Sequence, residues 1–545
     1  MEQIEFNLLR EPWIRVMRQD CSVQECSLTE VLLDSHKYLR LAGELPTQDV
    51  AILRLLLAVL HTVFYRVDPE GDEAPIEERS EAIKRWKELW DLGCFPEKAI
   101  REYLETWEDR FWLFHPEYPF YQVPGAKDGT AYTAAKLNGE LSESSNKIRL
   151  FPTRAGENKS GLSYAEATRW LINLNAFDDT SAKPKGKGLP SPGAGWLGKL
   201  GLIYAEGDTL FETLMLNLVL LDDGNEPWEE PKPVWEREKP KSAERTEIAM
   251  PDNQAELLTL QSRRLLLERN NGMVVGYTLL GGDFFAKINA IAEQMTIWDR
   301  REGKKNEPFY DQPKRLDPKR QLWRDFSVIT GTGSAGRKPG VVSWVSELKK
   351  KKAISRVIRF RVAGIKYGDK DFFVEDVLAD HLDFHTSLLD EAGKLWTNII
   401  QEKITQTEHA AWLLGVLAAD LFKAEGGQPN SSTQTARKNQ AEQDYYAAVD
   451  LPFREWLRSI DPEQGNDQLL RDEKDRQWRE EAYKIALRQG KSMVRGAGDI
   501  AFVGRWIKNG DREDFFSSSK AYNVFSAKLR ACFDFKERIK EAAYE

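Results

Sequence analysis

The 545-residue chain has few of the residues that most often mark catalytic or metal sites, with four cysteines and six histidines. Four cysteines are too sparse for a disulfide framework, and Cys21 and Cys26 have no second ligand pair nearby to suggest zinc. The sequence also lacks the G-x-S-x-G and H-E-x-x-H patterns of hydrolases. We therefore predict no metal, cofactor or hydrolytic centre, and a reducing, cytoplasmic setting.

Long apolar runs are also absent. The longest, at 51–64, is interrupted by Arg54, His61 and Thr62, whereas a membrane-spanning helix needs about 20 apolar residues. The first residues show no basic segment followed by an apolar one, so no secretory signal is expected. We find no repeat with a period of about 20–50 residues, which argues against a solenoid. The sequence predicts a globular protein without a membrane partner.

Acidic residues outnumber basic ones over the whole chain, but the basic residues are concentrated in a few segments. The net charge of −9 excludes a uniformly cationic nucleic-acid binder. Nevertheless, residues 345–361 carry seven bases and the single acid Glu347, and a second basic segment runs from Arg300 to Arg324. These two basic segments indicate either contacts with DNA phosphates or an ordinary solvated surface. The candidate backbone contacts are Lys183, Lys185, Lys187, Lys349, Lys350, Lys351 and Lys352.

The hydrophobic pattern divides the chain at about residue 380. Residues 1–380 mix short β-like runs with capped helices, and their long links at 128–163, 183–195 and 225–247 are typical of binding loops. We predict a large α+β domain there. From 381 to 545, apolar residues at helical spacing predict an all-α four-helix bundle. Its expected helices are His385–Lys423, Thr435–Ile460, Asp472–Met493 and Ser518–Ala543.

Two glycine-rich segments match nucleotide-binding patterns by spacing. Gly331–Gly336 follows a predicted strand at 326–329, but Pro339 and Gly340 should break the helix that must come next. Gly193–Lys199 has the spacing of a phosphate-binding loop, but Leu200 stands where a magnesium-binding hydroxyl belongs. A nucleotide-hydrolysing enzyme acting through 193–199 stays an alternative.

Histidines offer one further candidate. His381 and His385 are four residues apart on what we predict to be the start of a helix, a spacing that can place two metal ligands on one face. No third ligand is evident in the sequence. We therefore expect an ordinary helix start.

Five segments, in order along the chain, resemble the CasA family. They are NLLREPWIRV at 7–16, FHPEYPFYQ at 114–122, LFETLMLNL at 210–218, QSRR at 261–264 and DPKRQLWR at 317–324. Members of this family are large subunits of the type I-E CRISPR surveillance complex, Cascade. The resemblance implies a non-catalytic protein in antiviral defence that recognises the protospacer-adjacent motif (PAM) of double-stranded DNA. It also implies help with opening the duplex for R-loop formation, and recruitment of a helicase-nuclease.

The resemblance also implies positions for the family's functional elements. A glycine loop for minor-groove reading falls on Lys159, Ser160 and Gly161, although a plain capped helix start is the alternative. A lysine finger falls on Lys304 or Lys305. A strand-separating wedge falls on the predicted turn Tyr367, Gly368, Asp369 and Lys370, where this chain lacks the glutamine of the family's wedge tip.

A further expectation concerns the other components of the complex. The segment 142–158 resembles the family loop that contacts the guide RNA and neighbouring subunits, with Lys147, Arg149 and Phe151 as contacts. Its apolar stretch around Ile148 also fits a core strand. Three hypotheses follow: the Cascade subunit, the nucleotide-hydrolysing enzyme, and a scaffold that binds nucleic acid or protein without sequence preference.

Overall fold

A computed structural model describes residues 4–139, 161–180, 188–223, 225–304, 308–332, 336–465, 467–509 and 512–534. The chain divides into two compact units. The first comprises Met1–Arg320, Val328–Ile354 and Ile358–His381, and the second comprises Gln321–Ser327, Ser355–Val357 and Leu382–Glu545. The first unit is mixed α/β with small sheets, whereas the second is mainly helical.

The strands are mostly short and lie mainly in the first unit. They are β1 (Glu5–Asn7), β2 (Ile14–Arg18), β3 (Val23–Cys26), β4 (Tyr38–Leu41), β5 (Trp112–Phe114), β6 (Thr130–Thr133), β7 (Leu202–Glu206), β8 (Arg263–Asn270), β9 (Met273–Gly281), β10 (Trp298–Arg301), β11 (Tyr310–Pro313), β12 (Val357–Tyr367), β13 (Val374–His385), β14 (Arg505–Asn509) and β15 (Arg512–Phe516).

The helices lengthen toward the C-terminus. They are α1 (Leu28–Leu33), α2 (Pro46–Arg66), α3 (Arg79–Leu92), α4 (Glu97–Thr106), α5 (Ala134–Leu137), α6 (Tyr164–Phe177), α7 (Leu210–Asn217), α8 (Gln254–Leu258), α9 (Phe326–Thr330), α10 (Gly340–Lys350), α11 (Lys394–Glu425), α12 (Ser432–Arg458), α13 (Gln468–Gly496), α14 (Gly498–Val503) and α15 (Ser518–Cys532).

Three three-stranded sheets and three strand pairs organise these strands. The sheets have the orders β3-β2-β4, β6-β9-β8 and β13-β12-β7, and the pairs are β1-β5, β10-β11 and β14-β15. Strand β7 runs antiparallel to β12, with Glu206 opposite Arg359. The six residues between β12 and β13 are too few for a parallel crossover, so these neighbours form a hairpin.

Helix α2 is buried on every side. All residues from Val50 to Phe64 are buried, which is typical of a central core helix. By length and composition this helix could cross a membrane, but 94% of its most apolar window is buried within the protein. Its Arg54 forms a two-pronged ion pair with Glu293, at 2.8 and 3.0 Å, and the Trp196 indole donates to the same carboxylate at 2.8 Å. These contacts connect α2 to segments more than 100 residues away.

Two helices of the first unit begin with capping boxes, as their Ser-x-x-Glu sequences at 27–30 and 163–166 indicate. Ser27 accepts from the Glu30 N–H at the start of α1, and the Glu30 carboxylate accepts from the Ser27 N–H. Ser163 and Glu166 make the same reciprocal pair at the start of α6. Each box satisfies backbone donors that a helix start leaves without partners.

Aromatic rings fill the core of the helical unit. Trp478 of α13 lies edge-on to Phe453 of α12, with ring centroids 4.9 Å apart, and its indole donates to Thr407 of α11 at 3.0 Å. Phe453 stacks on Trp323 at 4.3 Å. Facing rings and indole hydrogen bonds of this kind hold three helices in a defined register.

The beginning of the helical unit differs from the prediction. His385 ends strand β13 instead of starting a helix, and two short 3₁₀ turns precede α11 at Lys394. His381 also lies in β13, so the helix start that we expected at His381 and His385 is wrong. The Asp390 carboxylate accepts from the Ala392 N–H at 2.9 Å and so stabilises the turn before α11.

Candidate nucleic-acid interface

Gly161 is half-buried beside the tip of the β8–β9 hairpin. The next residue, Leu162, exchanges two backbone hydrogen bonds of 2.9 Å with Val274 of β9. A Cβ atom added to Gly161 would lie 3.3 Å from the Met273 Cβ, so glycine permits this close approach. Met273 itself is 37% exposed and follows the tight turn at Asn271. The half-buried N-terminus of α6 therefore lies next to the β8–β9 turn.

Lys304 lies in the loop of the β10–β11 hairpin. The two strands pair over four residues each, ending with Arg301 opposite Tyr310. The lysine is exposed, as is Phe309, whose ring lies 5.6 Å from the Arg300 guanidinium. This loop therefore combines positive charge with an aromatic surface, a combination suited to nucleic acid.

The predicted turn between β12 and β13 is present. The Gly368 N–H donates to the Phe373 carbonyl at 2.9 Å, and Lys370 and Asp371 adopt the left-handed backbone conformation with φ of 53° and 61°. Asp369 and Lys370 are exposed, and Phe372 is 39% exposed. The tip therefore offers an acid, a base and an aromatic ring to solvent.

Tyr367 is not part of that exposed tip. Its side chain is 8% exposed, packs against Gly198 and donates to the Phe177 carbonyl. Burial raises the pKa of the Tyr367 phenol far above its ordinary value. The prediction that Tyr367 contacts DNA is therefore wrong. Its ring packs against the segment before β7, and its hydroxyl donates to the last turn of α6.

An ion pair holds the turn in place. Arg315 donates to both carboxylate oxygens of Asp371, at 2.7 and 2.8 Å, and the Thr180 N–H donates to the Asp371 carbonyl at 2.8 Å. Two parallel hydrogen bonds from one guanidinium fix orientation as well as distance. Sequence reasoning missed this clamp, because Arg315 and Asp371 are separated by 56 residues.

These contacts arrange the candidate elements around α6. Gly161 precedes its first turn, while the Phe177 carbonyl at its last turn binds Tyr367, next to the β12–β13 turn. Fourteen residues of α-helix span about 20 Å. Arg315 follows β11 by two residues, so its ion pair also connects the Lys304 hairpin to the β12–β13 turn.

The four consecutive lysines at 349–352 do not share one environment. Lys349 is 9% exposed within α10, so the prediction that it contacts the DNA backbone is wrong. The other three lysines of the run are exposed at the end of α10, namely Lys350, Lys351 and Lys352. Cations are favourable there because the C-terminal end of a helix dipole is negative. Farther along, Glu206 pairs with Arg359 at 3.4 Å and Arg361 at 2.6 Å. Part of the predicted basic surface is therefore neutralised.

Several predicted contacts lie outside the described residues. They are Lys147, Arg149, Phe151, Lys159, Ser160, Lys183, Lys185, Lys187 and Lys305. Their roles stay predictions.

Comparison with known proteins identifies the family. The family model for the CRISPR-associated protein Cse1 matches residues 7–489. The chain belongs to the Cse1 family. It is 32% identical over 330 residues to the CRISPR-associated protein CasA/Cse1 of Thermus thermophilus, a match covering 59% of this chain and 60% of that relative. The chain thus spans less than two thirds of the curated relative that it matches.

Solved structures agree with this family at the level of the fold. Cse1 of Thermobifida fusca is 29% identical and superposes with a TM-score of 0.80, covering 98% of this chain and 99% of that one. A chain of a CRISPR RNA-guided surveillance complex shares the fold at 16% identity, with a TM-score of 0.63, 97% of this chain covered and 100% of that one.

The phosphate-loop spacing at 193–199 does not form a phosphate cradle in this Cse1-family chain. A Cβ on Gly195 would lie 2.3 Å from the Ala176 carbonyl oxygen, so the loop backbone packs against α6. Lys199 is mostly buried, and burial together with the nearby Arg263 lowers its pKa to about 8. Strand β7 follows where a helix would have to begin. The described residues therefore indicate a structural role for the segment 193–199.

The second glycine-rich segment differs from its prediction in two ways. Residues 326–330 form helix α9, not a strand, so no β-strand leads into Gly331. Conversely, α10 does begin at Gly340, with Pro339 as its cap residue, where we predicted that both residues would break a helix. Proline at a helix start loses no intrahelical hydrogen bond, which is why the prediction failed.

His385 comes close to two acids that the sequence did not connect to it. Ligand atoms of His385, Asp461 and Glu463 lie within 4.8 Å of one another. However, the His385 Nδ1 atom lies 2.6 Å from the Ser387 hydroxyl and accepts from the Ser387 N–H at 3.3 Å. The Ser355 hydroxyl donates to Glu463 at 2.5 Å. These hydrogen bonds give the cluster a structural role.

Proposed function

We propose that this chain is the non-catalytic large subunit of a type I-E CRISPR surveillance complex in antiviral defence. In this role it recognises the PAM in double-stranded DNA, helps to open the duplex for R-loop formation and recruits a helicase-nuclease. The observation that carries the proposal is membership of the Cse1 family over residues 7–489. Its partners are double-stranded DNA, the guide RNA, the other Cascade subunits and the helicase-nuclease.

Motif reading would use two surface elements of the first unit. Gly161 allows the backbone to approach a groove closely, and the start of α6 favours phosphate through its amide groups. The lysine finger, Lys304 or Lys305, would insert into the minor groove, which is electronegative and presents acceptors on every base pair. Because that pattern is degenerate, we expect tolerance of several related motifs.

Strand separation would use the β12–β13 turn. Its clamp by Arg315 supports a wedge that keeps its shape when pressed against a base pair. Since Tyr367 is buried, the contact would fall to Lys370 and Phe372, with Asp369 facing away from phosphates. The ends of α6 are about 20 Å apart, a distance of about six base pairs at 3.4 Å per step.

Other surfaces would contact the rest of the complex. We assign Lys147, Arg149 and Phe151 to the guide RNA or a neighbouring subunit, and Lys183, Lys185, Lys187 and Lys350–Lys352 to the DNA backbone. The four long helices α11, α12, α13 and α15 would make up the four-helix bundle. Because whole-chain charge is negative, DNA binding would depend on these loops and on the guide.

A selection experiment tests the proposal. The chain is assembled with its partner subunits and a guide RNA, and is offered duplexes that carry the guide-matched target beside a randomised motif. Sequencing of the bound fraction should reveal an enriched motif next to the target. Equal recovery of all motifs would instead favour the sequence-independent scaffold. Failure of the chain to co-purify with guide RNA and partner subunits would contradict the Cascade assignment itself.

A further inference from the structure

The second unit exposes large apolar side chains on helix α14 and strand β14. They are Ile500, Phe502, Val503 and Trp506, each 63–74% exposed. The buried residue of α14 is Ala501, which offers the core only a methyl group. Single exposed apolar side chains are ordinary, but four within seven residues are typical of a surface that binds a partner. Together these four side chains form the α14 patch.

The backbone that carries the α14 patch is anchored to helix α11. The Arg505 guanidinium donates to the carbonyls of Ala424 and Glu425 at the end of α11, at 3.2 and 3.1 Å. Gly504 joins α14 to β14 with φ of 75°, and a Cβ atom there would overlap the Phe516 carbonyl oxygen. Glycine is therefore required at this junction. The patch thus faces solvent on a backbone that is held in place.

A row of positive charge precedes the α14 patch along the chain. The second half of α13 carries Lys484, Arg488, Lys491 and Arg495, a spacing that places all four on one face of the helix. All four are exposed, and none has an ion pair in the part of the chain that the structure describes. Residues 482–498 contain no acid. This basic row extends for about 17 Å at 1.5 Å per residue.

The fold itself does not account for the basic row. The buried residues Ala482, Ala486 and Gly490 lie on the other side of α13, where a Cβ atom on Gly490 would overlap the Phe525 ring of α15. The row therefore points away from the core. A helix C-terminus favours cations, but only within its last turn, where Arg495 is the basic residue. Like charges four residues apart on a helix are mutually destabilising, so the row costs stability.

The basic row and the α14 patch are neighbours. Arg495 and Ile500 are five residues apart, so their Cα atoms lie at most about 19 Å from each other. From 482 to 516 the chain has seven bases and four acids, and all four acids follow the row in sequence, at 499, 511, 513 and 514. Lys508 lies opposite Glu513 in the β14–β15 pair. The excess positive charge is therefore concentrated in the row.

From this arrangement we infer that the α14 patch and the basic row together bind a protein whose contact surface is apolar at its centre and acidic at one edge. Protein interfaces combine a buried apolar centre with a charged rim, and Trp and Phe side chains at the centre supply much of the binding energy. Free cations on the rim select an acidic partner. The inference rests on the proposed function, because it names a class of partner for a subunit of that complex.

Two other occupants fit this surface less well. In a two-fold pair of this chain, the same surface on both copies would bring two basic rows together, and like charges would repel. A nucleic-acid strand would neutralise the row, but Ile500 and Val503 have no ring on which a base could stack. Aliphatic side chains gain from burial against apolar surface, which a protein supplies.

The first test identifies what lies on the α14 patch. The photo-crosslinking residue p-benzoylphenylalanine replaces Phe502 in the full chain, which is assembled with the other subunits, a guide RNA, a target duplex and the helicase-nuclease. Leu469 is the matched control site, because it is 81% exposed in the first turn of α13, outside the patch and the row. We expect a crosslink from position 502 to a protein segment that contains both acidic and apolar residues, and a weaker yield from position 469.

A crosslink to DNA, to the guide RNA or to a second copy of the chain would overturn the inference. So would a yield from position 502 no higher than that from position 469 in an intact complex. If the wild-type chain does not assemble with guide RNA and subunits at all, the proposed function fails and this inference falls with it.

The second test uses the crosslinked protein, purified, as the probe in calorimetric titrations of the full chain. Arg488→Glu combined with Lys491→Glu should weaken binding at least about tenfold, equivalent to about 1.4 kcal/mol. Phe502→Ser combined with Trp506→Ser should weaken it by a similar factor. Arg476→Glu is the matched control, since Arg476 is an exposed base of the same helix outside the row, and it should change affinity less than about twofold. These exposed positions leave folding nearly unchanged, so wild-type affinity in both double variants would overturn the inference.

Discussion

The β12–β13 turn and the β10–β11 loop belong to the same unit but are held very differently. The turn is tied by the Arg315–Asp371 ion pair, by the Thr180 N–H and by buried Tyr367 beside it. The loop connects two strands of only four residues each, and both Lys304 and Phe309 are exposed in it. Substitutions at the turn should therefore act through structure, whereas those in the loop should act on binding directly.

The largest effect is expected at Tyr367. Replacement by alanine removes a buried ring that packs on Gly198 and leaves the Phe177 carbonyl without its donor. We expect the free energy of unfolding to fall by about 3–5 kcal/mol, measured by denaturant titration. Tyr367→Phe should lose only about 1 kcal/mol, because the ring stays and one hydrogen bond is lost.

If Tyr367→Ala instead leaves stability unchanged while abolishing strand opening, Tyr367 contacts DNA after all. The turn would then be more open than its buried contacts indicate.

The next effect concerns the clamp. Asp371→Asn removes the negative charge that Arg315 binds, and both side chains are about one-third exposed. We therefore expect a loss of about 1.5 kcal/mol, smaller than for a fully buried pair. In the assembled complex this should reduce strand opening about tenfold while initial motif binding changes less than about twofold.

Permanganate footprinting measures the opened bases, and gel shifts measure initial binding. Asp369→Asn is the matched control, since Asp369 is exposed on the same turn. Equal losses of opening and binding in Asp371→Asn would mean that the turn is not a separate wedge.

These two cases show what the sequence could and could not predict. The turn and the capping boxes at Ser27 and Ser163 were predictable, because residues close in sequence determine them. The burial of Tyr367 was not, because its partner Phe177 is 190 residues away. No local pattern contains such a contact.

The second unit shows the same limit. Helical spacing predicted α11, α12 and α13 to within a few residues at most ends, since each helix carries its own apolar stripe. The exception is His385, which continues strand β13. A strand needs a neighbouring strand to pair with, and sequence spacing does not supply that information.

A moderate effect is expected in the loop. Lys304→Ala combined with Lys305→Ala should weaken binding of motif-bearing duplexes by the assembled complex about fivefold, or about 1 kcal/mol. The unfolding free energy should stay unchanged, because Lys304 is exposed on a loop. Gel shifts with matched and mismatched motifs provide the measurement. Unchanged discrimination between motifs would contradict the lysine-finger assignment.

The smallest effect is expected at Lys370, whose backbone has φ of 53°. Lys370→Gly removes the steric cost of this left-handed conformation but gives the unfolded chain more freedom, so a net change of about 0.5 kcal/mol or less is expected. Strand opening by the assembled complex then isolates the contribution of the lysine side chain. A clear loss of opening with stability retained would assign the wedge contact to Lys370. Retained opening would assign it to Phe372, the exposed aromatic ring of the same turn.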